Sequence, residues 1–445
     1  MKKRLYLLVA GTLLATTFAG QAFAADLMSV YRDAQGYDAQ FASARAALEA
    51  GREKLPQGRA GLLPTVGLGA QTVWNETETR LRRGGVPASN SDYNTNGWSV
   101  NLTQPLFRWQ NWVAYNQSEL AVALAEAQYD AARMDLIVRT AQAYFDVLLA
   151  QDVLATAQAQ KTATAEQLEA AKRNFEVGTT TVTDTHEAQA RYDLIVAQEL
   201  AAQNDLTVKQ NALQTLVGKD VPGLKRLRAG VELMPPQPAD LGKWVTQAES
   251  DSAVVRQAQA AYQIAEREVE RQRAGHLPTV DLVATRSYGA QGYSSSIGAG
   301  VENDTTTIGV QLSVPLFAGG YTQSKSREAI ALKDKAQADL DNARRSASLG
   351  ARQAYLGVTS GLAQVRAYEA ALTSSQSALD SNKLGYEVGV RINIDVLNAQ
   401  SQLYDTRQKL AKARLDTVLA TLRLKAAAGT LDDKDLGAVN ALLAD

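Results

Sequence analysis

Apolar residues recur along this chain with two periods, and each period returns once more in the same order. Between Trp109 and Val177 there is neither Gly nor Pro, and Ile137, Ala141, Tyr144 and Leu148 fall on one face of a helix. Leu415, Val418 and Leu422 repeat that spacing near the end of the chain, and no Pro follows Pro315. A helix over about 110–176 extends roughly 100 Å at 1.5 Å per residue, far beyond an ordinary globular helix. Elsewhere the period is two. Trp98, Val100 and Leu102 alternate with Gly97, Ser99, Asn101 and Thr103, and Ile308, Val310, Leu312 and Val314 alternate with Thr307, Gly309, Gln311 and Ser313. That is the pattern of a strand with one apolar and one polar face. A weaker row (Val66, Leu68, Ala70, Thr72, Trp74) marks an earlier strand, and Arg286 interrupts the row of another. The strands are expected over about 65–77, 96–104, 279–290 and 305–314, with helical runs over 26–60 and 240–275 before each pair. Glu78 to Asn94 and Ser287 to Asp304, rich in Gly, Ser and Asn, read as external loops.

The two sets of elements are a tandem duplication. LPTV occurs at 63–66 and 277–280, and PLF at 105–107 and 315–317. FEVGTTTVTDTHEAQ at 175–189 returns as YEVGVRINIDVLNAQ at 386–400. An offset that stays between 210 and 214 positions repeats a whole half-domain, not a short solenoid unit. The halves are placed at 25–217 and 240–429, joined by a Pro-rich connector over 218–239 and followed by a tail over 430–445. Residues 1–24 have the basic start, short apolar run and Ala22-Phe23-Ala24 ending of a cleaved export leader. In each VG break, Gly178 and Gly389 suit the position just past a helix, where positive φ costs glycine little. Asp184 and Asp395 are expected to cap the returning helices, Asp184 with Glu187 three residues on as in a capping box.

Composition narrows the function. With no Cys and only His186 and His276, disulfides and thiolate metal sites are excluded and a histidine-based active site has almost no material. The chain reads as a non-enzyme without cofactor, and a net charge of −1 points away from nucleic acid. No apolar run of helical-span length follows the leader, so entry into a membrane requires a closed β-barrel. Four strands cannot close one, whereas three copies pool twelve strands and gather their long helices into a cylinder. Trp74, Trp98, Phe107, Trp109 and Trp112 cluster where an interfacial aromatic girdle would lie. A periplasm-spanning coiled-coil spacer is the rival reading; it explains the helices and not the alternating segments.

LPTV, PLF, the VGxxxxxD breaks, AYFDVLLAQDVL at 143–154 and AAAGTLDDKDL near the end resemble the TolC family of outer membrane channels. The resemblance implies an α+β membrane protein: a homotrimer whose twelve-stranded transmembrane β-barrel, four strands per chain, continues into a long periplasmic α-helical barrel. It implies export of drugs, other small molecules or type I-secreted proteins, together with an inner-membrane transporter and a periplasmic adaptor. Val177, Gly178, Val388 and Gly389 would then form the tip turns at the periplasmic entrance, where an adaptor docks. Arg391 and Tyr386 would be tied to Asp184 as the gate, and Asp395 would form a cation-binding ring. Two positions depart from the family. Asn398 replaces the aspartate of a second ring, which implies weaker cation selectivity. Lys383 stands where the family has an acidic residue linked toward Gln167, so a different tether has room to exist there.

Overall fold

The computed structural model describes residues 24–80, 88–221, 223–228, 230–294 and 298–444; the export leader expected over 1–24 lies outside them up to residue 23. The first half runs α1 (Leu27–Tyr37), α2 (Ala39–Arg52), α3 (Lys54–Ala60), β1 (Thr65–Thr79), β2 (Ser89–Phe107), α4 (Trp109–Glu176) and α5 (Val182–Val217). The second runs α6 (Leu241–Asp251), α7 (Ala253–Arg273), β3 (Thr279–Ser294), β4 (Ala299–Ser313), α8 (Tyr321–Glu387) and α9 (Asn393–Ala427), with α10 (Asp433–Asn440) closing the chain. α4 and α8 have 68 and 67 residues. At 1.5 Å per residue each is about 100 Å long.

Two expectations need correction. The helical runs over 26–60 and 240–275 are each broken, at Asp38 and Ser252, which are related by the repeat. Both side chains cap the following helix: Asp38 Oδ1 accepts from Phe41 N at 2.6 Å and Ser252 Oγ from Val255 N at 3.4 Å. The segments read as external loops are also mostly strand. β1 and β2 pair out to Thr79 and Ser89, and β3 and β4 out to Ser294 and Ala299; residues 81–87 and 295–297 lie outside the described residues. Polar residues hold the ladder here because their side chains bond across it, as Asn75 Nδ2 does to Thr95 Oγ1 at 3.0 Å and Asn94 Nδ2 to Thr72 Oγ1 at 3.1 Å.

The four strands form one antiparallel sheet in the order β1-β2-β3-β4. Its register sets Val66 opposite Leu102, Leu102 opposite Ala284, and Ala284 opposite Ile308, so one face is apolar across all four strands. Gly67, Asn101, Thr285 and Thr307 line the other face. The charge that interrupts the apolar row, Arg286, is bonded to Asp304 at 2.7 Å and Thr306 at 3.2 Å. The apolar face is bare: Trp74 is 77% exposed and Ile308 73%. Among the described residues β1 and β4 each pair on one side only, which leaves two open edges.

Sheet and helices join differently in the two halves. β2 enters α4 through Arg108, whose guanidinium bonds both carboxylate oxygens of Asp281 on β3, at 2.7 and 2.5 Å. In the second half the joint is Ala318-Gly319-Gly320, with φ of 61° and 82° at the two glycines.

The largest core sits at the waist, midway along α4. There Leu136, Ile137, Tyr144, Phe145 and Leu148 pack against α1, α9 and α10. The connector is stitched into this waist: Ala25 bridges to Leu224, Leu227 bridges to Leu443, and Tyr144 Oη donates to the carbonyls of Ala25 and Lys225. Burial of that phenol pushes its pKa well above the ordinary tyrosine range. Toward the tips only small clusters remain.

Candidate functional site: the paired helix tips

The far ends of the α4/α5 and α8/α9 coils hold the two VG turns. In the first, the chain leaves the helix at Val177 and reverses at Gly178, whose φ is 78°. The carbonyls left over at the end of α4 are met within the turn, since Gly178 N donates to Phe175 O and Thr179 N to Asn174 O. The returning helix is capped by Thr181. Its Oγ1 accepts from Asp184 N at 3.3 Å, and Asp184 Oδ2 accepts from Thr181 N at 3.1 Å. The box is therefore Thr181 with Asp184, not Asp184 with Glu187: Asp184 is the third residue of the helix and not its cap.

The second turn repeats the backbone, with Gly389 at φ 80° and the amides of Val390 and Arg391 both donating to Gly385 O. Gly385 is buried under the Arg391 side chain, where an added Cβ would lie 2.7 Å from Arg391 Cγ. Ile392 occupies the cap position and supplies no side-chain hydrogen bond. Asp395, like Asp184, is thus the third helical residue and not a cap. It faces Arg391 at 3.7 Å.

Within one chain, then, the expected gate residues do not all meet. Arg391 pairs with Asp395, Tyr386 Oη accepts from Asn174 Nδ2 at 3.2 Å, and the Asp184 carboxylate is taken by Thr181. Asn398 is exposed and accepts from Arg191 of α5 at 3.0 Å, which sets a guanidinium beside the position of the missing carboxylate. Gln167 donates to Asn393 at 2.5 Å while Lys383 stays exposed. Higher up the first coil, Lys161 donates to Glu199 at 2.7 Å, and that contact holds the ammonium above its ordinary pKa. His186 is exposed on the first turn of α5.

Asn393, Asn174 and Arg191 were not singled out from the sequence. For Asn393 the pattern carried a trace: it heads the row Asn393, Val396, Leu397, Gln400, Leu403 that forms the buried stripe of α9. A polar residue at the head of such a stripe calls for a partner. The tips also present bare apolar side chains, with Val177, Val388 and Val390 all largely exposed.

The family model described as outer membrane efflux protein matches residues 30–219 and 244–430. The outer membrane protein TolC of Vibrio cholerae is 33% identical over 442 residues, covering 99% of this chain and 98% of that protein. The alkaline protease secretion protein AprF of Pseudomonas aeruginosa is 34% identical over 424 residues, covering 94% and 88%. Among solved structures, the outer membrane channel CmeC of Campylobacter jejuni superposes with a TM-score of 0.79 at 18% identity, over 94% of this chain and 90% of that one.

Proposed function

The chain belongs to the outer membrane efflux protein family, and from that premise we propose that three copies close a transmembrane barrel whose helical extension is a gated tunnel. The protein is an export channel of the outer membrane. Its sheet carries the reading. An apolar face open to its surroundings, with two unpaired edges, is stable in lipid only when further strands complete it. Three copies supply twelve strands and leave no edge. No helix among the described residues is long and apolar enough to cross a membrane. The nine steps from Thr65 to Trp74 span roughly 30 Å along the strand. After tilting, that is close to the about 25 Å apolar band of an outer-membrane barrel. A periplasmic spacer has no use for such a face.

The helical coils continue the barrel across the periplasm, and the VG turns ring its entrance. Val177, Gly178, Val388 and Gly389 form the docking surface for a periplasmic adaptor, which couples the channel to an inner-membrane transporter. Small molecules or secreted proteins are the cargo. In the closed ring Arg391 and Tyr386 restrain the second coil against the first turn at Asp184. Exposed ion pairs of this kind contribute about 1 kcal/mol or less each, so a docking partner can undo them. Asp395, repeated three times, forms a carboxylate ring that favours cations. The Arg191 guanidinium beside Asn398 opposes a second such ring.

Single-channel conductance in a planar bilayer tests this reading. A small conductance in the unmodified protein that rises in Arg391→Ser is the expected result. Equal conductances would reduce the turn residues to helix ends, and silence from inserted trimers of both would remove the channel.

A further inference from the structure

Asn393 is 1% exposed, yet both ends of its amide are bonded, and both bonds go to the other half of the chain. Its Oδ1 accepts from Gln167 Nε2 of α4 at 2.5 Å, and its Nδ2 donates to the Asp184 carbonyl of α5 at 3.4 Å. The surrounding seam is apolar, built from Leu168, Ala171, Ala188 and Leu397 with Tyr192 and Ile394 at its margin. Arg391–Asp395, by contrast, lies at the head of α9 with its arginine exposed and, within one chain, does not cross between the two coils.

We propose that Asn393 is the latch of the entrance: a buried side chain that ties the α8/α9 coil to both helices of the α4/α5 coil and must be unmade before the tips separate. The proposal rests on the channel reading above and assigns the tether that Lys383 does not provide. A purely apolar seam would tolerate sliding and partial opening, because dispersion contacts have little direction. An amide with two fixed partners in a dry seam does not, since it is either fully bonded or left buried and unsatisfied. The same logic lets a single polar residue fix register in a coiled coil. The repeat-related position in the first half is Val182, which is exposed. The latch is therefore one-sided: one per chain, within the chain, with no counterpart toward a neighbouring copy.

The test uses the full-length trimer. Asn393→Ala removes both arms, and Gln167→Ala removes one while leaving the Asp184 carbonyl arm. Each arm of ordinary strength shifts the closed–open balance about fivefold per copy. Conductance should therefore rise modestly in Gln167→Ala and further in Asn393→Ala, and adding Gln167→Ala to Asn393→Ala should change nothing more. A second readout stands apart from conductance. The chain has no Cys, so spin labels placed through Glu176→Cys and Glu387→Cys, at exposed repeat-related sites, report the separation of the two tips. That distance should lengthen and broaden in Asn393→Ala.

If Arg391→Ser raises conductance while Asn393→Ala leaves both conductance and tip distance unchanged, the latch is wrong and the channel stands. If the distance shifts while no protein conducts, the latch stands and the channel reading falls. Should Asn393→Ala fail to yield trimers, Gln167→Ala alone decides, since an unchanged distance there removes the arm to α4 and with it the latch.

Discussion

Val177 and Val388 leave their helices with φ of −90° in both cases and ψ of 3° and 1°, and Gly178 and Gly389 follow at 78° and 80°. From those matched backbones the two turns part. The first bonds to itself: Thr179 Oγ1 reaches the Asn174 carbonyl at 2.9 Å, and Thr181 and Asp184 close their box. The second has Ile392 where the box would start and sends Tyr386 and Asn393 across to the first coil instead. Glycine at the reversal dictates the shape of a turn, whereas the side chains on either side decide what the turn is attached to. A duplicated hairpin can thus keep its geometry while its two copies differ in what they are attached to.

The far ends of the same helices offer the largest test of whether repeat-related positions with one backbone carry one cost. Gly218 and Gly429 follow α5 and α9 at φ of 78° and 74°. A Cβ on Gly429 would lie 2.2 Å from the Asp251 carbonyl oxygen, which is backbone. One on Gly218 would meet the Tyr37 ring at 2.4 Å, a side chain that is 60% exposed and not backbone. Each alanine costs about 1–2 kcal/mol for the left-handed conformation. Gly429→Ala adds a forced backbone shift, for a total of about 3 kcal/mol or more. Thermal unfolding of the detergent-solubilised protein should show Gly429→Ala well below Gly218→Ala. Equal losses would mean that φ alone governs both sites.

A second pair separates the halves by their response to acid. Asp38 and Ser252 cap repeat-related helices, but only Asp38 is also bonded to an arginine, with Arg139 Nη1 at 3.0 Å from its Oδ2. That bond, with the Phe41 amide, holds the Asp38 carboxyl below its ordinary pKa against the opposing effect of burial. A carboxyl whose pKa is lowered by folding contributes stability that is full above the unfolded value, near 4, and is lost as the pH falls through the folded value. Ser252→Ala should cost about 1 kcal/mol at neutral pH as a lost cap, and Asp38→Ala more, because it also gives up the pair with Arg139. Between neutral pH and about pH 3, the deficit of Asp38→Ala relative to the unmodified protein should shrink, while that of Ser252→Ala should hold steady.

Those two caps also show where the sequence was mute. The long helices were legible because nothing between Trp109 and Val177 could break them, and the strand centres because alternation of Val, Leu and Ile with Gly, Ser and Thr has only one reading. Neither Asp38 nor Ser252 has a Pro within ten residues, so only cap geometry reveals the break. The outer strand ends are not legible locally because Ser, Thr and Asn favour loops as well; pairing with a neighbouring strand decides, and that is not a local property. At the tips the glycines were read directly, whereas capping was assigned to Asp184 when Thr181 performs it. The Asn393 contacts cross more than 200 positions of sequence and are set by how two coils pack.

The smallest effect tests the tip comparison most directly, by giving the second turn the cap of the first. Thr181 and Ile392 share an extended backbone, with φ and ψ of −89° and 159° in one and −103° and 162° in the other. Both side chains are β-branched, and Ile392 is 60% exposed, so Ile392→Thr sacrifices little packing. The new hydroxyl is placed to accept from Asp395 N, as Thr181 accepts from Asp184 N. The gain is about 0.5 kcal/mol, at the low end for a helix cap, and the reciprocal change Thr181→Val should lose a similar amount in the first turn. Hydrogen exchange reads both: protection of the Asp395 amide should rise in Ile392→Thr, and that of the Asp184 amide should fall in Thr181→Val. Conductance should not follow, because a better-capped α9 is still held through Asn393. If Ile392→Thr instead lowers conductance, the looseness at the head of α9 is itself part of the opening motion, and the second turn moves by fraying before it moves by unlatching.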